Sequence, residues 1–111
     1  MASFELFDVV RVPFPFSDRQ AQKHRPALVL SDKAAFNRPA GHSVMAMITS
    51  AVHSPWPLDV AIADLKAAGL PAPSLVRFKV FTLDHRLVRG KLGQLAAGDQ
   101  TRVRAALRAL L

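Results

Sequence analysis

The sequence predicts a mainly β chain, a small and strongly bent barrel of short strands sealed by one C-terminal helix. Three observations predict it. Residues 9–16 alternate strictly: Val10, Val12, Phe14 and Phe16 point one way, and Val9, Arg11, Pro13 and Pro15 the other. That is the two-residue period of a strand. Short apolar runs then recur at 25–31, 43–49 and 75–83, separated by segments rich in Pro, Gly, Asn, Asp and Ser. A helical spacing of apolar residues closes the chain, with Val103, Leu107, Leu110 and Leu111 on one stripe and Arg104 and Arg108 outside it. A chain of 111 residues fits one domain, 1–111, with no internal repeat or linker.

Each element has its own justification. Pro13 and Pro15 cannot donate to a ladder, so the later half of the first strand belongs at an edge or a bulge. Residues 17–24 hold no apolar side chain but Ala21 and read as an exposed loop. The second strand is 25–31, and 32–41, with Asn37, Pro39 and Gly41, is loop with one helical turn. The third strand is 43–49, and after a loop at 51–57 comes a short strand at 58–62. Asp64 caps a brief helix that Gly69 stops. Residues 75–83 alternate, with Leu75, Arg77, Lys79 and Phe81 sharing a side, and a short strand at 87–88 ends before Gly90. Asp99 then suits the cap of the last helix.

Composition excludes several activities. There is no cysteine, so disulfides and thiolate catalysis are ruled out, which suits a reducing, cytoplasmic setting. No basic segment followed by an apolar one opens the chain, so no secretory signal is visible. The longest stretch free of Lys, Arg, Asp and Glu, 39–58, contains His42, His53, Pro55 and Pro57 and is unfit to span a bilayer as a helix. His42, His53 and His85 are scattered without metal-ligand spacing, so no metal site or other cofactor is expected. No Gly-x-Ser-x-Gly elbow and no phosphate-cradling glycine loop is present. The net charge of +7 is unevenly placed: residues 65–111 carry nine Lys/Arg against Asp84 and Asp99, while residues 1–64 balance to zero. A basic half attracts phosphate backbones or an acidic protein.

The chemistry-bearing groups sit at strand ends. Arg25 opens the run Ala27-Leu28-Val29-Leu30, and Thr49 and Ser50 close Val44-Met45-Ala46-Met47-Ile48. If those strands pair, a permanent cation and two hydroxyls meet at one sheet edge, a grip suited to a phosphodiester. Arg77 and Lys79 share a strand face and suit phosphate binding. Trp56, framed by Pro55 and Pro57, reads first as a lid over the core, with base stacking as the other option. A general base is not assignable: Arg stays protonated and has no lone pair to accept a proton, Asp18 lies in the loop, and His24 adjoins Arg25. Neighbouring strand residues face opposite ways, so His24 serves only if the strand begins after it.

The segments Asp8-Val-Val-Arg-Val-Pro-Phe-Pro-Phe-Ser-Asp18 and Arg25-Pro-Ala-Leu-Val-Leu-Ser31 resemble the opening of the MazF/PemK family of bacterial toxins. The resemblance continues in order through Ile48-Thr-Ser50, Ala68-Gly-Leu70, Pro73-Ser-Leu-Val-Arg77, Thr82-Leu-Asp84 and Leu92-Gly-Gln-Leu95. It implies an SH3-like barrel with short peripheral helices, acting as a homodimer. It also implies the toxin of a type II toxin–antitoxin pair, a metal-independent endoribonuclease that cuts single-stranded RNA to 2′,3′-cyclic phosphate and 5′-hydroxyl ends. The resemblance places the catalytic groups on Arg25, Thr49 and Ser50 and an RNA contact on Arg77, and it implies an acidic antitoxin as partner, with the loop 17–24 gating the groove. Lys79, on the face of Arg77, and Asp18 and His24, in and beside the loop, are the further candidates for RNA contact. Some relatives carry a carboxylate where this chain has Lys79, so a mechanism resting on it does not carry over. A related toxin fold inhibits DNA gyrase by binding alone, which keeps a non-catalytic binding module as the alternative. A general nucleic-acid barrel is disfavoured by the absence of Tyr and the inward placing of most Phe.

Overall fold

The computed structural model describes residues 4–14, 23–52 and 55–111. Within them six strands form one antiparallel sheet that curls into a half-barrel, in keeping with the β-rich, strongly bent architecture expected. They are β1 (Asp8–Phe14), β2 (Lys23–Val29), β3 (His42–Ser50), β4 (Val60–Ala61), β5 (Ser74–Asp84) and β6 (Lys91–Gln94), laid side by side as β4-β5-β3-β2-β1-β6. Three helices accompany them: α1 (Arg38–Ala40), α2 (Leu65–Ala68) and α3 (Ala97–Leu110).

Strand alternation here buries both faces. Val9, Leu28, Ala46, Ile48 and Val76 pack on one side, against Val103 and Ala106 of α3. Val10, Val12, Ala27, Val29, Met45 and Leu83 pack on the other, closed by Phe4. The proline expectation for β1 holds in outline at Pro13: β6 pairs with Asp8–Val10 through a bulge, Arg11 still exchanges backbone hydrogen bonds with Arg89 and Gly90, and beyond Arg11 the described part of the strand is paired on the β2 side only. Ladder continuity fails again at Pro26, because β2 pairs with β3 only through Ala27, Leu28 and Val29.

Several local expectations need correction. β2 begins at Lys23, so His24 lies inside the strand, not before it. Residues 33–40 are helical, a π-helical turn (Lys33–Asn37) running into α1, with Asp32 accepting the Ala35 N–H at 2.8 Å and Gly41 stopping it at φ 65°. β4 is only two residues long. The strand expected at 87–88 is a 3₁₀ turn (His85–Leu87) capped by Asp84, and the true strand follows Gly90. Asp99 does not cap α3, which starts after Ala96. It is 2% exposed, accepts the N–H groups of Ala63 and Asp64 at 3.0 Å, and pairs with Arg102, so it ties the helix to the approach to α2. The α3 stripe is buried at Val103 and partly at Leu107, whereas Leu110 and Leu111 are exposed. The cap of α2 is as expected, Asp64 accepting the Ala67 N–H at 2.9 Å and Gly69 ending the helix at φ 73°.

α2 and β6 meet backbone to backbone. A Cβ on Gly69 would lie far inside 3.0 Å of the Leu92 carbonyl, and one on Gly93 would meet the carbonyls of Ala67 and Ala68 inside the same limit. Among the described residues, no helix is long and apolar enough to cross a membrane.

His85 anchors the far end of β3. Its Nε2 lies 2.7 Å from the hydroxyl of buried Ser43, and its ring meets Phe4 edge-on at 5.0 Å. Burial, reinforced by the nearby His42, pushes its pKa below the ordinary histidine value. The unfolded chain therefore takes up this proton first as pH falls below about 6.5, and stability is lost from there downward to the folded-state pKa. Thermal melts at about pH 7.5 and about pH 5.5 should show a drop in Tm that shrinks in His85→Gln. An equal drop in both proteins would remove His85 as a cause.

Candidate functional site

A groove of about 450 Å³ opens on the sheet face that carries Val12, Ala27 and Met45. Its position follows from the ladder. β2 and β3 are in register at Ala27↔Met47, and continuing that register two places sets Arg25 opposite Thr49. The pairing stops at Pro26, which has no N–H to give, so the strands part and their facing side chains line an opening. Arg25 and Thr49 both line it, together with Phe14, Met47, Arg77, Lys79 and Phe81. The Arg-Pro pair thus has a local reason: proline ends the ladder and arginine occupies the gap.

Among the described residues Arg25 makes no carboxylate ion pair. Its guanidinium carbon lies 5.1 Å from the centre of the Phe14 ring. Its Nε is buried and lacks a hydrogen-bond partner among the described residues.

Arg77 is placed differently. Sequence reasoning missed Asp59, whose carboxylate accepts from Arg77 Nε at 3.2 Å and from Nη2 at 2.9 Å. The guanidinium holds the Asp59 carboxyl below its usual range, the hydrogen bond outweighing burial. Eighteen residues separate the pair, and only the short β4–β5 pairing brings them together, so no local signal announces it. Arg77 therefore enters the groove with its charge already balanced. Lys79 makes no carboxylate ion pair among the described residues. Its Nζ instead sits 4.6 Å from the centre of the Trp56 ring. Two residues of β5, Phe78 and Lys79, are extra relative to β3, since Ala46 pairs with Val80 and Met47 with Arg77. An even-numbered bulge preserves the alternation, so Arg77, Lys79 and Phe81 share the groove side as the sequence predicts.

The remaining candidates sit elsewhere. Ser50 ends β3 in solvent, its Oγ accepting the Val52 N–H at 3.4 Å, and is not part of the groove lining. His24 faces opposite to Arg25, as its place inside β2 requires, and pairs with Pro13 rather than reaching the groove. Asp18 and most of the loop 17–24 lie outside the described residues. No carboxylate or imidazole lines the groove among the described residues, and no group of His, Asp and Glu there has the arrangement of a metal site.

Solved structures with this fold are numerous. MazF from Deinococcus radiodurans superposes with a TM-score of 0.73 at 25% identity, covering 99% of this chain and 97% of that one. A chain of the MazE-MazF complex from the same organism gives 0.74 at 22% identity, covering 98% and 96%. A mycobacterial endoribonuclease in complex with its cognate antitoxin gives 0.73 at 20% identity, covering 98% and 93%. No curated protein sequence matches significantly. Residues 5–111 match the family described as PemK-like, MazF-like toxin of type II toxin-antitoxin system, and with the fold in agreement the chain belongs to that family.

Proposed function

We propose that this toxin is a metal-independent endoribonuclease acting on single-stranded RNA, with the groove between β2 and β3 as its active site. The observation that carries the reading is the meeting of Arg25 and Thr49 in one groove. A toxin that worked by binding protein alone would have no need of that convergence. In the reaction, the 2′-oxygen attacks the adjacent phosphorus, the P–O5′ bond breaks, and a 2′,3′-cyclic phosphate and a 5′-hydroxyl result. One proton leaves the 2′-hydroxyl and one is delivered to the 5′-oxygen. Arg25 stabilises the charge that gathers on the phosphorane oxygens, its planar fork matching two of them. Thr49 positions the scissile phosphate through its hydroxyl, while Ser50, exposed outside the groove lining, takes no part in this step. Lys79 adds charge for the backbone, while Arg77, oriented by Asp59, offers shape and hydrogen bonds more than net charge. An acidic antitoxin and a second copy of the chain are the partners that fit the family, in a cytoplasmic setting.

The test is cleavage of a mixed RNA pool by the purified toxin in EDTA, with end-group analysis. Cyclic phosphate ends from the wild type, absent with Arg25→Ala, are the expected result. Equal cleavage by both proteins would refute the site. No cleavage of any RNA would refute the enzyme and turn the search to a protein target.

A further inference from the structure

Trp56 is the only tryptophan in the chain, and its expected place over the core is not where it lies. It is 42% exposed and belongs to neither apolar cluster. Its ring flanks the groove, with Lys79 Nζ 4.6 Å and Arg77 Cζ 6.0 Å from the centre. The placement is built. The Asp59 N–H donates to the Trp56 carbonyl at 3.2 Å, and the Trp56 N–H donates to Asp59 Oδ2 at 3.0 Å. Leu58, between them, holds φ 66°, a conformation unfavourable for a leucine and kept only where the surroundings require it. The same Asp59 carboxylate binds Arg77. One anion thus sets the distance between an aromatic plane and a groove cation.

The indole is only partly covered in the free protein, at 42% exposure, and lies beside Lys79 and the Asp59-paired Arg77. A flat ring next to phosphate-binding groups matches a nucleotide: phosphate on the cations, base on the ring. An acidic peptide would satisfy the cations but would leave the plane unused. The geometry points to Trp56 as a stacking platform for a nucleobase next to the phosphate held at Arg25 and Thr49, a subsite that rests on the RNA reading above. Because every base has a π-face, the contact adds affinity across sequences and leaves the chemical step alone. Trp56 is accordingly a binding residue, and its loss raises KM with little change in kcat.

A lone tryptophan reports on itself. The experiment titrates the wild-type toxin with 2′-O-methyl RNA of mixed sequence, which cannot be cut, following intrinsic fluorescence and, on a dye-labelled copy, anisotropy. The expected result is a change in Trp56 emission that saturates at the RNA concentration where anisotropy does. Trp56→Ala should bind about 5- to 150-fold more weakly, and Trp56→Phe should recover part of the loss. RNA binding with unaltered emission and unaltered affinity in Trp56→Ala would overturn the platform and leave the ribonuclease standing. No RNA binding at all would overturn both. Emission that responds to an Asp/Glu-rich peptide and not to RNA would reassign the ring to a protein partner and overturn the proposal.

Discussion

Arg25→Ala should lose at least about 10²–10³-fold in RNA cleavage rate, the scale seen when one preorganised donor to a transition-state oxyanion is removed. It should do so without losing stability, which is the more telling half of the result. Arg25 leaves a buried Nε without a partner among the described residues, a state that costs about 1–3 kcal/mol. Its contact with the Phe14 ring at 5.1 Å returns about 0.5–1 kcal/mol at a partly exposed site. The sum favours removal. Thermal melts should therefore place Tm for Arg25→Ala level with or above the wild type while activity collapses. Arg25→Lys should not rescue, because a point charge cannot reproduce the planar fork. A marked fall in Tm, or full activity with lysine, would contradict this account of the groove.

The largest stability loss should come from the contact of α2 with β6. Gly69→Ala places a methyl group against the Leu92 carbonyl and forces a side chain onto a backbone at φ 73°. Gly93→Ala presses from the other side on Ala67 and Ala68. Backbone atoms cannot step aside as the tip of a flexible side chain does. Overpacking and the left-handed conformation together should cost about 2–4 kcal/mol at Gly69. In a chain of this size that lowers Tm by roughly 10–20 °C. Gly93 pairs with Val9 of β1, so its displacement also pulls at the ladder. Gly41, where a Cβ would meet nothing within 4 Å, is the control and should lose only the cost of its backbone conformation. Equal melts for Gly69→Ala and Gly41→Ala would show that the close approach does not matter.

These residues also show what the sequence made legible. Ala68-Gly-Leu70 and Leu92-Gly-Gln-Leu95 were informative as two separate signals, yet they are one contact seen from both sides. The strands at 9–16, 25–31, 43–49 and 75–83 were readable because alternation is a local property of the chain. β6 was misplaced because four residues with an internal glycine carry too little periodicity to be distinguished from the turn before them. Asp99 was misread for a different reason: a carboxylate near a helix start looks the same whether it caps its own helix or two N–H groups from residues 63 and 64. In the groove, Arg25 and Thr49 were found because each ends an apolar run. Asp59 and the outward place of Trp56 were not, since both depend on a two-residue strand and a turn around Leu58 at positive φ. Pairings across long sequence separations leave no periodic trace.

The break at Pro26 gives the molecule a mechanical character. Ala27↔Met47 acts as a fulcrum, with the β1–β2 hairpin as one lever and the paired β3–β5 ribbon as the other. Arg25 and Thr49 stand beyond that last pair and line the groove, with Val12 and Ile48 of the two apolar clusters beside them. The gap between cation and hydroxyl is therefore set by where the two ladders part, and not by a ladder pairing of Arg25 with Thr49.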